Sequence, residues 1–401
     1  MAEYRYRWII TTLTPLHIGS GERLREGFDF IQKDGSLWIA AQGALFRVAL
    51  EEALRVRRGD EAQIAAEIAG MNLYQILNNR WLRPEHFDLS RGVFAYRLAG
   101  STSKKKQEGE LHAHIKDGEY RPYLPGSSLK GALRSAVLRT AAANDDEKPE
   151  YRHGNPKTAA SPMERRYFAA PRIGEGGEGE FPNYDLWRAL RITDSTPLPK
   201  ETLTLARAMV YLRPLPNQRE KKAETIPLDL EVIPPGVTLE AGSWVDTWLF
   251  ADPRAATALG FSRRQQAWVT TGLVKLVREE ARARLREEHD FYYAIQQQGG
   301  DLPQGIGRAI ANLIDAFSRL EANEFILPVG KGTGWRSKTL GRVLQEKLTD
   351  QEFRNLVQEF KLGRGRWRRN EAIPYTRLLA SVDNAYYTPL GWIKIRLEPE
   401  P

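Results

Sequence analysis

The residues best placed to do chemistry lie in Tyr123-Leu124-Pro125-Gly126-Ser127-Ser128-Leu129-Lys130-Gly131-Ala132-Leu133-Arg134, a Pro-Gly turn and two hydroxyls set directly before a helix carrying Lys130, Arg134 and Arg139. A helix start presents unpaired backbone N–H groups and the positive end of a dipole, so it attracts anions. Ser127 or Ser128 is a suitable N-cap. Lys130 and Arg134 stand four apart on one helical face and repel each other unless something negative lies between them. The chemistry implied is phosphate contact. The same pattern also describes an ordinary capped helix with solvated cations.

Two further glycine-rich turns accompany it. Thr14-Pro15-Leu16-His17-Ile18-Gly19-Ser20-Gly21 follows the first strand pattern, and Leu327-Pro328-Val329-Gly330-Lys331-Gly332-Thr333-Gly334-Trp335-Arg336-Ser337-Lys338-Thr339 lies near the C-terminus. Glycine allows close backbone approach, an indole offers a stacking face and cations neutralise phosphate. Neither has Walker A or Gly-x-Gly-x-x-Gly spacing, which argues against a nucleotide cofactor. The run Lys361-Leu362-Gly363-Arg364-Gly365-Arg366-Trp367-Arg368-Arg369 repeats the composition. The expected RNA contacts are therefore His17, Gly19, Ser20 and Gly21; Ser127, Ser128, Lys130, Gly131 and Arg134; Lys331, Gly332, Gly334, Trp335, Arg336 and Lys338; and Arg364, Arg366 and Arg368.

In this order the motifs resemble the RAMP superfamily of CRISPR effector proteins, and within it the subunit that caps the guide-RNA backbone of type III-A (Csm) complexes. Arg191-Ile192-Thr193-Asp194-Ser195, Pro374-Tyr375-Thr376-Arg377 and the closing Pro389-Leu390-Gly391-Trp392-Ile393-Lys394-Ile395 agree with it. The resemblance runs from about Thr11 to Ile395, insertions excepted. It implies an RRM-like or ferredoxin-like core and a non-catalytic RNA-binding role near the guide's 3′ end. It also implies as partners guide RNA (crRNA) and target RNA, neighbouring backbone and small subunits, and host nucleases recruited for guide maturation. A guide-processing endoribonuclease and a metal-dependent target-cleaving backbone subunit are the alternatives.

Catalytic candidates are few. His17 could serve as a general base toward a 2′-hydroxyl, but the sequence offers no nearby partner and favours a packing or phosphate-contacting histidine. His112 and His114 alternate on a strand and face the same side, a spacing that suits two metal ligands, without a third ligand close by. Cleaving RAMP subunits use an early loop aspartate; Asp29 sits instead beside a strand with aromatic neighbours. Asp194 suits accepting hydrogen bonds from a turn or pairing with an arginine. Arg278-Glu279-Glu280 and Arg286-Glu287-Glu288 read as a solvated helix face. No catalytic residue, metal or cofactor is expected.

Basic residues number 59 against 51 acidic, a net of +8 that permits nucleic-acid binding without requiring it. Lys104-Lys105-Lys106 and Arg219-Glu220-Lys221-Lys222 read as solvated loops. With no cysteine, disulfides and thiolate sites are excluded, and a cytoplasmic chain without a membrane span is the simplest expectation.

The elements that must position these groups follow from hydrophobic period. Strands are expected over Tyr4 to Leu13, a hairpin about Asp34-Gly35, Val93 to Leu98 and Leu111 to Ile115, with two or three helices between Gly43 and Leu82 and another from Ser127 to about Ala143. Later strands are expected over Trp187 to Ile192, Thr202 to Leu212, Glu224 to Ile233 and Val237 to Phe250, then helices over Ser262 to about Gln298 and Ile306 to Leu320. The fold class is α+β with two lobes, residues 1–143 and 185–401, joined through a flexible insertion at 144–184.

Overall fold

The computed structural model describes residues 4–104, 108–170, 181–213, 227–338, 340–365, 367, 373–383 and 385–400. The strands are β1 (Arg5–Thr12), β2 (Gly19–Arg25), β3 (Phe30–Lys33), β4 (Ser36–Ala40), β5 (Phe94–Ala99), β6 (Glu110–His114), β7 (Leu190–Ile192), β8 (Thr204–Leu212), β9 (Leu228–Val232), β10 (Thr238–Val245), β11 (Glu324–Pro328), β12 (Thr376–Ser381), β13 (Thr388–Pro389) and β14 (Trp392–Pro399). The helices are α1 (Gln42–Val56), α2 (Glu61–Ala69), α3 (Leu73–Asn78), α4 (Gly126–Ala143), α5 (Ser161–Phe168), α6 (Trp248–Ala251), α7 (Pro253–Leu259), α8 (Arg263–Val269), α9 (Leu273–Gln297), α10 (Ile306–Ser318), α11 (Gly334–Lys338), α12 (Gly341–Lys347) and α13 (Asp350–Glu359).

β1 alternates as a strand with one covered face should: Trp8 and Ile10 are buried while Arg5 and Arg7 are exposed. It lies inside the sheet β11-β14-β1-β10-β7, every pairing of which is antiparallel. Within that sheet β14-β1-β10-β7 has the 4-1-3-2 order of a ferredoxin-like β-α-β-β-α-β unit. Its first crossover carries α4, its second carries α9 and α10, and β11 adds outside β14. The expected α+β, ferredoxin-like class is therefore present. Its strands, however, come from both ends of the chain: Arg5 pairs with Trp244 and Ile9 with Arg396. A division into residues 1–143 and 185–401 would cut this sheet, because both edges of β1 are taken by strands from the C-terminal part.

The second sheet, β13-β12-β8-β9-β6-β2, is antiparallel except where β6 meets β9. The third, β3-β4-β5, packs with α1 to α3 around Ile31, Trp38, Leu45 and Ile68. Asp34 and Gly35 turn its first hairpin with positive φ at both positions, as the type I′ turn demands.

Two expectations need correction. Residues 161–170 of the supposed flexible insertion are built into the core: Met163 and Phe168 of α5 are buried, and the Gln265 amide donates to the Tyr167 carbonyl at 3.0 Å. Low periodicity concealed this short amphipathic helix of about two turns; the glycine–glutamate stretch at 171–180 lies outside the described residues. The long charged helix also breaks into α8 and α9, and Glu280 and Glu288 of its supposedly solvated face are buried. Among the described residues no helix is long and apolar enough to cross a membrane.

Candidate nucleic-acid interface

The structure joins two of the glycine-rich turns at one junction. The β1–β2 loop meets the loop after β11 where the Lys331 amide donates to the His17 carbonyl at 2.9 Å. The closing segment completes it, since the Val329 amide donates to Gly391 at 2.8 Å and the Gly391 amide to Pro15 at 2.9 Å. Gly330 has φ +78° and a Cβ there would strike the His17 carbonyl oxygen. At Gly391, φ is +81° and a Cβ would strike the Val329 carbonyl oxygen. These glycines permit chain-to-chain contact, which explains their number without a ligand.

Beneath the junction lie His17 and His114, buried, with ring centroids 5.9 Å apart. His17 Nδ1–H donates to the Glu231 carbonyl at 2.7 Å. Burial lowers the His17 pKa to about 4, against the opposing pull of that carbonyl. His114 accepts from the Ile18 amide through Nδ1 at 3.1 Å and donates from Nε2 to the Tyr123 carbonyl at 3.3 Å; burial lowers its pKa to about 3. Tyr123 leads directly into α4, so this histidine links the glycine junction to the helix start. The Glu231 carboxylate receives the Tyr96 hydroxyl, the Lys116 ammonium and the His114 amide.

At the opening of α4 the N-cap residue is Pro125, and the cap comes from elsewhere: Asp194 Oδ1 accepts from the Gly126 amide at 2.8 Å. Ser127 and Ser128 are first-turn residues, which corrects their assignment as caps, while the hydrogen-bond-accepting role foreseen for Asp194 is the one observed. Gly126 packs so closely on β7 that a Cβ would strike the Ile192 carbonyl oxygen. Ser127 and Gly131 are exposed and Lys130 is half-buried. The Lys130 pKa is lowered by burial and then by the neighbouring Arg191. Among the described residues neither Lys130 nor Arg191 has an ion-pair partner. Asp185, which acts on Lys130 in the opposite sense, is bound to Arg134 at 2.6 Å.

The other expected contacts divide. Gly19, Ser20 and Gly21 are exposed on the edge strand β2. Lys331 is half-buried, its Nζ 3.4 Å from His112 Nδ1, and its pKa is lowered by burial and by Arg23. Four assignments are overturned by burial and pairing. The His17 ring is 1% exposed and cannot reach a ligand. Arg134 is held by Glu164 and Asp185 and lies over the Phe168 ring. Arg336 is buried, donating to the Ile373 carbonyl at 2.6 Å and pairing with Glu287 at 2.8 Å. The Trp335 ring packs where a Cβ on Gly341 would stand, so it serves as a wall. Gly332 packs on Leu390, and Gly334 begins α11. Trp392 is buried, and Trp367 meets Phe353 edge-on at 4.9 Å. The side chains of Lys338 and Arg364, and the whole of Arg366 and Arg368, lie outside the described residues.

Asp29 accepts from the Arg25 amide at 2.8 Å, closing a turn. Among the described residues no group of three His, Asp or Glu side chains could hold a metal ion. Arg191 is a cation beside Lys130 that the sequence pattern left unassigned; its signal was the single charge between Leu190 and Ile192 on an otherwise covered strand.

A ferredoxin-like sheet spanning the chain, with glycine loops gathered beside the first crossover helix, defines the class, and the RAMP superfamily family model matches residues 9–337. The chain belongs to the RAMP superfamily. It is similar to the protein named "CRISPR system Cms protein Csm5" of Streptococcus thermophilus, at 26% identity over 247 residues, covering 59% of this chain and 63% of that one. The protein of the same name from Mycobacterium tuberculosis is 26% identical over 266 residues, covering 66% and 59%. The matched region thus spans about six tenths of these curated relatives. Among solved structures, a chain of a Csm–crRNA–target RNA ternary complex from a type III-A CRISPR–Cas system superposes with a TM-score of 0.65 at 20% identity, covering 98% of this chain and 100% of that one. A crystal structure of T. onnurineus Csm5 gives 0.60 at 20% identity, covering 96% and 99%. Both share the fold.

Proposed function

We propose that this chain is a non-catalytic, guide-RNA-binding subunit of a type III-A CRISPR interference complex that caps the backbone filament and supports guide maturation. The observation that carries it is the pair Lys130 and Arg191 at the opening of α4, cations without carboxylate partners among the described residues, beside the exposed Ser127 and Gly131. Such a surface grips phosphates and leaves bases free to pair. The ternary complex supports guide RNA, target RNA and neighbouring Csm subunits as partners; recruitment of host nucleases to the guide is part of the proposal. The non-catalytic reading is supported by the burial of His17, which keeps its ring from any substrate, and by the engagement of Asp29 in a turn.

The test is reconstitution with neighbouring subunits and guide RNA, comparing the chain with Lys130→Glu/Arg191→Glu. The expected result is less guide recovered and a salt slope reduced by roughly 0.7 per lost contact. Metal-free cutting of repeat RNA by the purified chain would replace this reading with a processing nuclease; metal-dependent cutting of target at regular spacing would replace it with a slicer.

A further inference from the structure

Glu280, Arg284 and Glu288 recur at four-residue spacing on α9 and are 4%, 7% and 3% exposed, so one face of this charged helix points into the protein. Arg139 meets Glu280 at 2.5 Å, Arg284 and Arg377 meet Glu288 at 2.9 Å each, Arg336 meets Glu287 at 2.8 Å, and Arg342 meets Glu346 at 3.0 Å. Among the described residues five guanidiniums thus face four carboxylates, Glu280, Glu287, Glu288 and Glu346, an excess of one positive charge. Buried charge of that kind is costly unless something negative joins it.

A cavity of about 20 Å³ lies within this network, walled by Arg284, Glu288, Tyr292 and Arg377 and, from the glycine loop, by Gly332 and Thr333. It accommodates one occupant of about the size of a water molecule. Three polar atoms of the lining residues have no hydrogen-bond partner among the described residues: Arg284 Nε, Arg377 Nη2 and the Tyr292 hydroxyl. Their residues are 7%, 7% and 4% exposed. The two guanidinium atoms can only donate, and the hydroxyl is free to do so. Glu288 already accepts from Arg377 Nε at 3.1 and 2.9 Å and pairs with Arg284 Nη2. A water molecule would bring two hydrogens of its own to a wall dominated by donors. A halide only accepts, and it carries the single negative charge the network lacks.

We propose that this cavity is a halide site, filled by chloride in solution, that ties the glycine loop after β11 to α9 and β12. The inference is independent of the RNA-binding reading. The full chain is unfolded by heat at fixed ionic strength with chloride exchanged for gluconate, which is too large for the cavity, and its crystals are soaked in bromide. The expected results are a melting temperature that rises with chloride and an anomalous bromide peak within hydrogen-bond distance of Arg284, Arg377 and Tyr292. Tyr292→Phe removes one donor and no charge, so the chloride concentration for half the effect should rise about tenfold. Equal melting temperatures in the two salts, or bromide only at surface positions with water in the cavity, would overturn the proposal.

Discussion

Acid should weaken this fold through His17, and the size of the effect follows from its surroundings. The ring is 1% exposed, and burial holds its pKa at about 4, with Lys331, His112 and Lys116 pushing in the same direction. Unfolding returns it to about 6.5. Between those values the unfolded chain binds more protons than the folded one, so stability is intact above about pH 6.5 and falls as pH drops toward 4. At pH 5 the linkage expression gives a loss of about 2 kcal/mol, and below pH 4 a limit of about 3 kcal/mol. His114 acts in the same sense, and the contact of the two rings makes their contributions non-additive. The comparison is denaturant unfolding at pH 7.5 and pH 5 for the parent and His17→Gln, whose amide can still donate to the Glu231 carbonyl but has no proton to gain. Subtraction removes the carboxylates and the distant histidines and leaves the coupling to His114 in the difference. The parent should lose about 2 kcal/mol more than the variant; equal losses would refute the buried, neutral histidine. Hydrogen exchange at the Lys331 amide, which rests on the His17 carbonyl, should quicken over the same interval.

Other consequences separate structural cations from binding ones. Arg134→Ala leaves the buried Asp185 without its ion pair and should cost about 1–3 kcal/mol of stability while leaving the salt slope of RNA binding unchanged; a reduced slope would return Arg134 to the interface. Gly330→Ala drives a Cβ into the His17 carbonyl oxygen at φ +78° and should lower the unfolding free energy by more than about 1 kcal/mol, so an unchanged denaturation midpoint would disprove the tight loop contact. Trp335→Ala should cost about 3 kcal/mol in denaturant unfolding with RNA affinity preserved, and the opposite pattern would restore Trp335 as a stacking surface. Asp194→Asn keeps an oxygen for the Gly126 amide but removes a negative charge beside α4; RNA affinity in a titration should rise, and a fall would show that Asp194 supports binding.

Local signals carried the elements well and their partners poorly. The alternation from Tyr4 to Leu13, the Asp34-Gly35 turn and the period of α1 to α4 are properties of a few neighbouring residues, and each element lies where its pattern places it. That β1 would be flanked by β10 and β14 is a matter of pairing across more than two hundred residues, and the order of motifs along the chain says nothing of it. Burial of charge was invisible for the same reason: Glu280 and Glu288 belong to a charged helix in sequence, and only Arg139 and Arg377, arriving from other elements to join Arg284 of the same helix, make their burial tolerable.

The site was legible as a set of segments but not as a set of contacts. Glycine at Gly330 and Gly391 has the same permissive backbone whether a phosphate or a carbonyl of the chain itself approaches, so composition cannot tell a ligand loop from a loop junction. The opening of α4 shows the same ambiguity in charge. Its dipole alone would favour an anion, yet Asp194 already occupies the Gly126 amide and offsets part of that field. Arg134 and Arg336 are matched by Asp185 and Glu287. The proposed attraction for a polyanion at this helix therefore rests on Lys130 and Arg191, the two cations that the fold brings together and that have no carboxylate partner among the described residues.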